Sequence, residues 1–173
     1  MGPLTRCAVA CCLALFAVVT HAALEVRFTE SAPKDRFTVS NVGKCDSGPF
    51  ELTIDLSKSA AGLIFDTTAE GAGVEVYQPF AVSTGQVTLT SGASVRDGDK
   101  SLSVKVSGLA PGARVAFTID VDDTLAASEL GQIRVSGAEI AGAIARIDAR
   151  GQEPVSGSFD KTGRTLVDTL PCG

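Results

Sequence analysis

The run Asp120-Val-Asp122-Asp123-Thr124 sets three carboxylates in four residues, and Asp97-Gly98-Asp99 sets two more in a short loop ahead of a strand. Successive side chains on a strand point to opposite faces, so Asp120 and Asp122 share one side, read here as the solvent side, with Asp123 at the strand end. Carboxylates one residue apart beside turn carbonyls supply hard oxygens, and Ca²⁺ takes about six to eight of them in flexible geometry. Asp97, Asp99, Asp120, Asp122 and Asp123 are therefore the candidate metal ligands, with Ca²⁺ as the candidate cofactor. Neither stretch is a complete D-x-[DN]-x-[DN]-G loop closed by a bidentate Glu, and solvated strand faces and turns also favour Asp. Asp66, Glu70, Glu75 and Glu129 read as surface charge. Gly71-Ala72-Gly73 is neither G-x-G-x-x-G nor followed by a helix, so it reads as a turn. Tyr77 reads as half-exposed, with Phe80 in the core.

Other chemistry is limited by what the first 22 residues contain. A basic start ending at Arg6, an apolar run over Cys7–Val19 and small residues at Thr20 and Ala22 have the layout of a secretory signal peptide cleaved before Ala23. The apolar run is shorter than the ~20 residues a bilayer span needs. Its removal takes the only histidine, His21, together with Cys7, Cys11 and Cys12. Ser-His-Asp and Cys-His arrangements and His-based metal sites then have no imidazole. Carboxylates, Lys and Tyr77 remain as acids or bases, and no catalytic set is assigned. The protein is expected to be secreted or periplasmic, with no membrane span after processing.

Cys45 and Cys172 are left as an even pair bound for an oxidising compartment, and they are expected to be joined. A thiol redox pair would normally sit as C-x-x-C, which these do not. Without Arg6, 14 basic residues face 20 acidic ones, a net charge of −6. No segment concentrates Lys or Arg, so nucleic acid and anionic lipid are not expected partners.

These residues must be positioned by strands, because alternation of period two runs through most of the chain. Leu24/Val26/Phe28, Phe37/Val39, Phe50/Leu52/Ile54/Leu56 and Leu102/Val104/Val106 each alternate with polar residues, and Val115/Phe117/Ile119/Val121 form a row opposite Arg114, Thr118, Asp120 and Asp122. Leu63-Ile64-Phe65 reads as a strand buried on both faces, and Pro79 ends or edges a strand that begins near Val74. Val87/Leu89, Ile133/Val135 and Ala143–Ile147 complete about nine strands separated by Gly/Pro/Asp turns. Ser57–Gly62 and Asp123–Leu130 could each hold one helical turn. The expected fold is an all-β antiparallel sandwich of immunoglobulin or fibronectin III type over residues 23–150. Residues 151–173 are expected to form a C-terminal hairpin or tail tethered by Cys172. Leu109-Ala-Pro-Gly-Ala-Arg-Val115 resembles the corner between late fibronectin III strands, with Val115 where that family places Tyr.

A wider resemblance rests on Ala32-Pro-Lys-Asp-Arg-Phe37, Cys45-Asp-Ser-Gly-Pro-Phe50, Leu52-Thr-Ile-Asp-Leu56 and Ala60-Ala-Gly-Leu-Ile-Phe-Asp66. With Gly71-Ala-Gly-Val-Glu-Val76, Gln78-Pro-Phe80 and Phe117-Thr-Ile-Asp-Val-Asp-Asp-Thr124, the chain resembles small secreted bacterial proteins labelled "aggregation factor core". The resemblance implies adhesion and assigns no binding residues. The expected function is a non-enzymatic cell-surface or matrix adhesion module, calcium-assisted, binding a cell-surface glycan or protein. Self-association by edge-strand pairing is a further expectation. The alternative is a carboxylate-dependent polysaccharide hydrolase or lyase, which needs two acids across a bond and a cleft.

Overall fold

The computed structural model describes residues 21–172 apart from 75, 91–93 and 128–129, with the backbone alone at 169–171. The positions before His21, where the signal peptide is expected, and Glu75 and Glu129 lie outside the described residues. Twelve strands and one helical turn follow in order: β1 (His21–Thr29), β2 (Arg36–Asn41), β3 (Phe50–Asp55), β4 (Ile64–Asp66), β5 (Ala81–Thr84), β6 (Val87–Leu89), β7 (Ser101–Val106), β8 (Arg114–Thr118), β9 (Asp120–Asp122), α1 (Gly137–Ile140), β10 (Ile144–Ala149), β11 (Val155–Ser158) and β12 (Arg164–Pro171). One sheet runs β12-β1-β2-β8-β5 and the other β11-β10-β3-β7-β6, all pairs antiparallel, with β4 and β9 forming a separate two-stranded ribbon.

The alternating rows bury one face of each sheet against the other. Leu24, Val26, Phe37, Val39 and Phe117 come from the first sheet, and Leu52, Ile54, Leu102, Val104 and Ile147 from the second, each fully buried. Phe37 anchors this layer, with ring centroids 5.2 Å from Phe28, 5.4 Å from Phe117 and 6.4 Å from Phe159. Phe80 packs on Phe117 at 5.2 Å, while Tyr77 is 41% exposed.

Several boundaries differ from the alternation pattern. The Val115–Val121 row is cut at Ile119: β8 pairs with β2 and β5, whereas β9 turns to pair with β4. No strand begins at Val74; the described residues between Thr67 and Phe80 are irregular, and β5 starts only after Pro79-Phe80, where a ladder donor is again available. Ile133–Val135 is not a strand. Ser136 and Glu139 form a reciprocal capping box there that opens α1. Residues beyond Arg150 extend both layers, β11 pairing with β10 and β12 with β1.

Cys45 and Cys172 are bonded, with Cα atoms 5.6 Å apart. The bond ties the end of β12 to the turn after β2, where buried Asn41 donates to Cys45 O (2.8 Å) and Leu109 O (2.7 Å). Arg36 and Thr118 pair at the opposite end of the same strands, about 20 Å away at ~3.4 Å per residue. The covalent clamp and the Asp-rich segment thus occupy opposite ends of the sandwich. Closing a loop of 127 residues removes unfolded-chain entropy equivalent to about 5 kcal/mol. Cys172→Ser is expected to lower stability by about 2–5 kcal/mol in urea titration, without changing the far-UV CD of the folded state.

Candidate metal centre

The site begins with a strand register. In the β4–β9 ribbon Asp66 lies directly opposite Asp120, and Ile64 opposite Asp122. Residues two apart share a face, so Asp66, Asp120 and Asp122 line one side of the ribbon. The other side carries Phe65 and Val121, both in the core, and Leu63 and Ile119 continue that apolar row. The parity expected for Asp120 and Asp122 therefore holds, but the solvent does not: Asp120 is 0% and Asp122 1% exposed. The irregular stretch after β4 covers them. The Val74 amide donates to Asp122 Oδ2 (2.9 Å), and the Asp120 amide donates to the Gln78 carbonyl (3.0 Å).

Asp66, read as surface charge from its sequence, is fully buried and is the member the spacing argument missed. Candidate ligand atoms of Asp66, Asp120 and Asp122 all lie within 4.8 Å of one another. Among the described residues, the buried side-chain oxygens lacking any hydrogen-bond partner are both of Asp66, Asp120 Oδ2, Asp122 Oδ1, Asp123 Oδ2 and, elsewhere, Thr90 Oγ1. Asp123 is 2% exposed, and its Oδ1 accepts from the Leu125 amide. The glycines of the presumed turn explain the close cover: a Cβ on Gly73 would fall within the Asp66 carboxylate, and one on Gly71 against Asp97. Gly-Ala-Gly after a strand was the available signal, since such spacing marks close backbone approach.

Asp97 and Asp99 reach the same end of the fold but serve its loops. Asp97 Oδ1 accepts from the Thr67 amide (2.7 Å), the Thr67 hydroxyl (2.8 Å) and the Thr68 amide (2.9 Å). Its Oδ2 accepts from the Thr68 hydroxyl (2.7 Å). Asp99 Oδ2 accepts from the Arg96 amide, and the Asp99 carbonyl accepts from Phe65. Partial burial pushes the Asp97 carboxyl up, but the Thr68 and Thr67 donors outweigh it and hold the group below its ordinary value. The geometry thus brings together Asp66, Asp120 and Asp122, does not bring Asp123 into that group although it is buried, and leaves Asp97 and Asp99 as supports.

Like charges directly opposite on paired strands are unfavourable, and burial adds to the cost. Burial, followed by the charges of Asp122, Asp35 and Asp66, pushes Asp120 up from 3.8 to about 8. Asp122 rises to about 7, first through burial and also through the Asp66 charge, against the pull of the Val74 amide. Asp66 is raised by burial and then by the charge of Asp97. Asp35, on the β1–β2 connection, rises to about 7 chiefly by burial, although its oxygens accept from the Ser31 (2.9 Å) and Val121 (3.1 Å) amides. The two chemical outcomes for such a cluster are retained protons or a bound cation. All the oxygens are hard donors, and no His or Cys joins them, which suits Ca²⁺ and disfavours soft-ligand metals.

The fold and site define a class: an antiparallel β-sandwich with a covered carboxylate cluster at one end. The chain matches no protein-family profile, no curated protein and no solved structure.

In cation-free buffer the sign of the pH dependence is set by these raised values. Between pH ~4 and ~8 the folded state keeps protons that the unfolded chain has released, so stability falls as pH rises through that window. The expected observation is a melting temperature in EDTA that is highest near pH 4–5 and declines toward pH 8. A melting temperature that climbs across that range would contradict it.

Proposed function

We propose that this chain is an exported, non-enzymatic β-sandwich serving as a cell-surface or matrix adhesion module, its β4–β9 end fixed by a bound Ca²⁺ ion. The observation that carries the cation is the set of unpartnered oxygens on Asp66, Asp120 and Asp122, fully enclosed and mutually within 4.8 Å. Asp66, Asp120 and Asp122 would be the ligands. Ca²⁺ suits the site better than Mg²⁺, which sheds its water reluctantly and so fits poorly under a closed cover. Because the oxygens are covered, the ion's role is to neutralise and stiffen this end, not to bridge to a ligand in solvent. The adhesion element of the reading is supported by the resemblance to "aggregation factor core" proteins. Export is supported by the leader-like first 22 residues and by the disulfide, which persists in oxidising compartments.

A polysaccharide hydrolase or lyase is supported less well. Glycosidase acid pairs flank a bond at about 5–5.5 Å or more and face a cleft. The closest carboxylates here are packed together beneath residues 67–80 and reach no open surface.

Calcium binding is tested by calorimetry on the purified, EDTA-treated protein. At a hundredfold excess over Kd, linkage gives about 2.7 kcal/mol, which at this chain length raises the melting temperature by about 5–10 °C. Asp120→Asn keeps the side-chain volume and is expected to abolish the Ca²⁺ increment while leaving the cation-free protein as stable or more so. No increment with Ca²⁺, Mg²⁺ or Mn²⁺ would remove the ion from the account.

A further inference from the structure

The basic residues that no stretch of sequence concentrates are gathered by strand pairing. The core-facing rows of β1, β2, β8 and β12 leave Arg27, Arg36, Arg114 and Arg164 exposed on the outer face of one sheet. Arg27 is opposite Arg164, Arg36 lies between Thr29 and Thr118, and Arg114 is opposite Ser40. Strand spacing of ~4.8 Å and rise of ~3.4 Å per residue put the Cα atoms of Arg27, Arg36 and Arg114 within about 15 Å of one another.

The pairing of these charges is uneven. Arg27 and Arg164 share one carboxylate, Glu25, which lies 3.8 Å from Arg27 Nε and bonds the Arg164 guanidinium. Like charges directly opposite need such a neutralising neighbour. Asp168 is the other acid at the outward positions of these strands among the described residues. The β2–β8 half holds Arg36 and Arg114 with no acid at its outward positions and, among the described residues, no ion pair to either, and exposed Lys34 precedes β2. Thr29, Thr38 and Ser40 supply hydroxyls between the guanidiniums. In a chain of net charge −5 this is a flat, cationic, hydroxyl-bearing face.

We infer that the outer face of the β12-β1-β2-β8-β5 sheet docks an extended acidic polysaccharide, its carboxylate or sulfate groups held by Arg36 and Arg114 with Arg27 alongside. Guanidinium forks match both anions in geometry and stay charged at any physiological pH. A bilayer fits less well: the exposed apolar residues Leu166, Val42 and Val82 lie on β12, just past the end of β2 and on β5, separated by intervening strands, and form no contiguous insertion patch. A single polymer chain also meets this face without approaching the acidic remainder of the molecule, whereas a broad anionic surface meets both. Single-stranded nucleic acid would require aromatic platforms, which these strands do not present outward. This partner deepens the adhesion reading and does not depend on the cation.

The test measures retention of the full processed protein on immobilised heparin and on polygalacturonate, which separate sulfate from carboxylate recognition. Arg36→Gln/Arg114→Gln is compared with wild type and with Arg146→Gln/Arg150→Gln, which removes the same charge from β10 of the other sheet and the turn after it. The expected result is salt-sensitive wild-type binding to at least one polymer, weakened about tenfold in the first double variant and little in the second, with unchanged melting temperatures. Absence of wild-type binding to both polymers, or equal loss in both variants, overturns the proposal. So does binding to phosphatidylserine vesicles with none to the polymers. Calcium titration of the Arg36→Gln/Arg114→Gln protein is read separately, so failure of the cation site is distinguishable from failure of this face.

Discussion

Two aspartates directly opposite on a pair of strands, covered from solvent, form the least forgiving constraint in this fold. The long strands β1, β2, β3, β7 and β10 follow the usual division, with an apolar row inside and a polar row outside. At β4–β9 the row that should be wet is closed over by the chain between Thr67 and Phe80. That closure fixes much of its surroundings. It requires Gly71 and Gly73, because any side chain there would meet Asp97 or Asp66. It also requires Asp97 to be consumed by Thr67 and Thr68, since a further carboxylate without donors would add its uncompensated charge to the same end.

The two ends of the sandwich solve the same problem by different chemistry. Near Cys45 the chain ends and turns are joined by a covalent bond, supported by the hydrogen bonds of buried Asn41. At the β4–β9 end no such bond exists among the described residues, and the cover has few backbone anchors. A divalent ion would give that end what the disulfide gives the other, a crosslink between segments distant in sequence. The difference matters for control: a disulfide is set once by the compartment, whereas an ion site responds to the surrounding concentration.

Much of the layer architecture is legible in the sequence because period-two alternation is a local property. Phe50–Leu56 and Leu102–Val106 declare which face is buried without reference to any partner. The carboxylate site is less legible, and for a physical reason. Parity correctly assigns Asp120 and Asp122 to one side, but whether that side meets water depends on a segment some 45 residues earlier. Asp66 follows an apolar run and is indistinguishable from a strand-end surface charge until its register with Asp120 is known. Short elements fail for a related reason. The Ser136/Glu139 capping box is visible locally, yet the apolar pair Ile133/Val135 beside it mimics a strand. The cut at Ile119 has no local signal, because only the competition between β2 and β4 for pairing decides it.

Charge is subject to the same limit. Net charge and linear charge density describe the chain as an acidic object without a basic segment, and both descriptions are correct. Strand pairing nevertheless brings together arginines separated by up to 137 positions, because outward places on neighbouring strands are close whatever their order in the chain. Five aspartates go the opposite way: Asp35, Asp66, Asp120, Asp122 and Asp123 are buried, while the other described acids stay at or near the surface. A cation there would cancel part of the negative charge at the Arg36 end of the β2–β8 strands, since Arg36 pairs with Thr118, two residues before Asp120. Over that separation, near a Debye length at physiological salt, the influence on an anion approaching Arg36 is weak but of favourable sign. The two features therefore act in the same direction while remaining structurally separate.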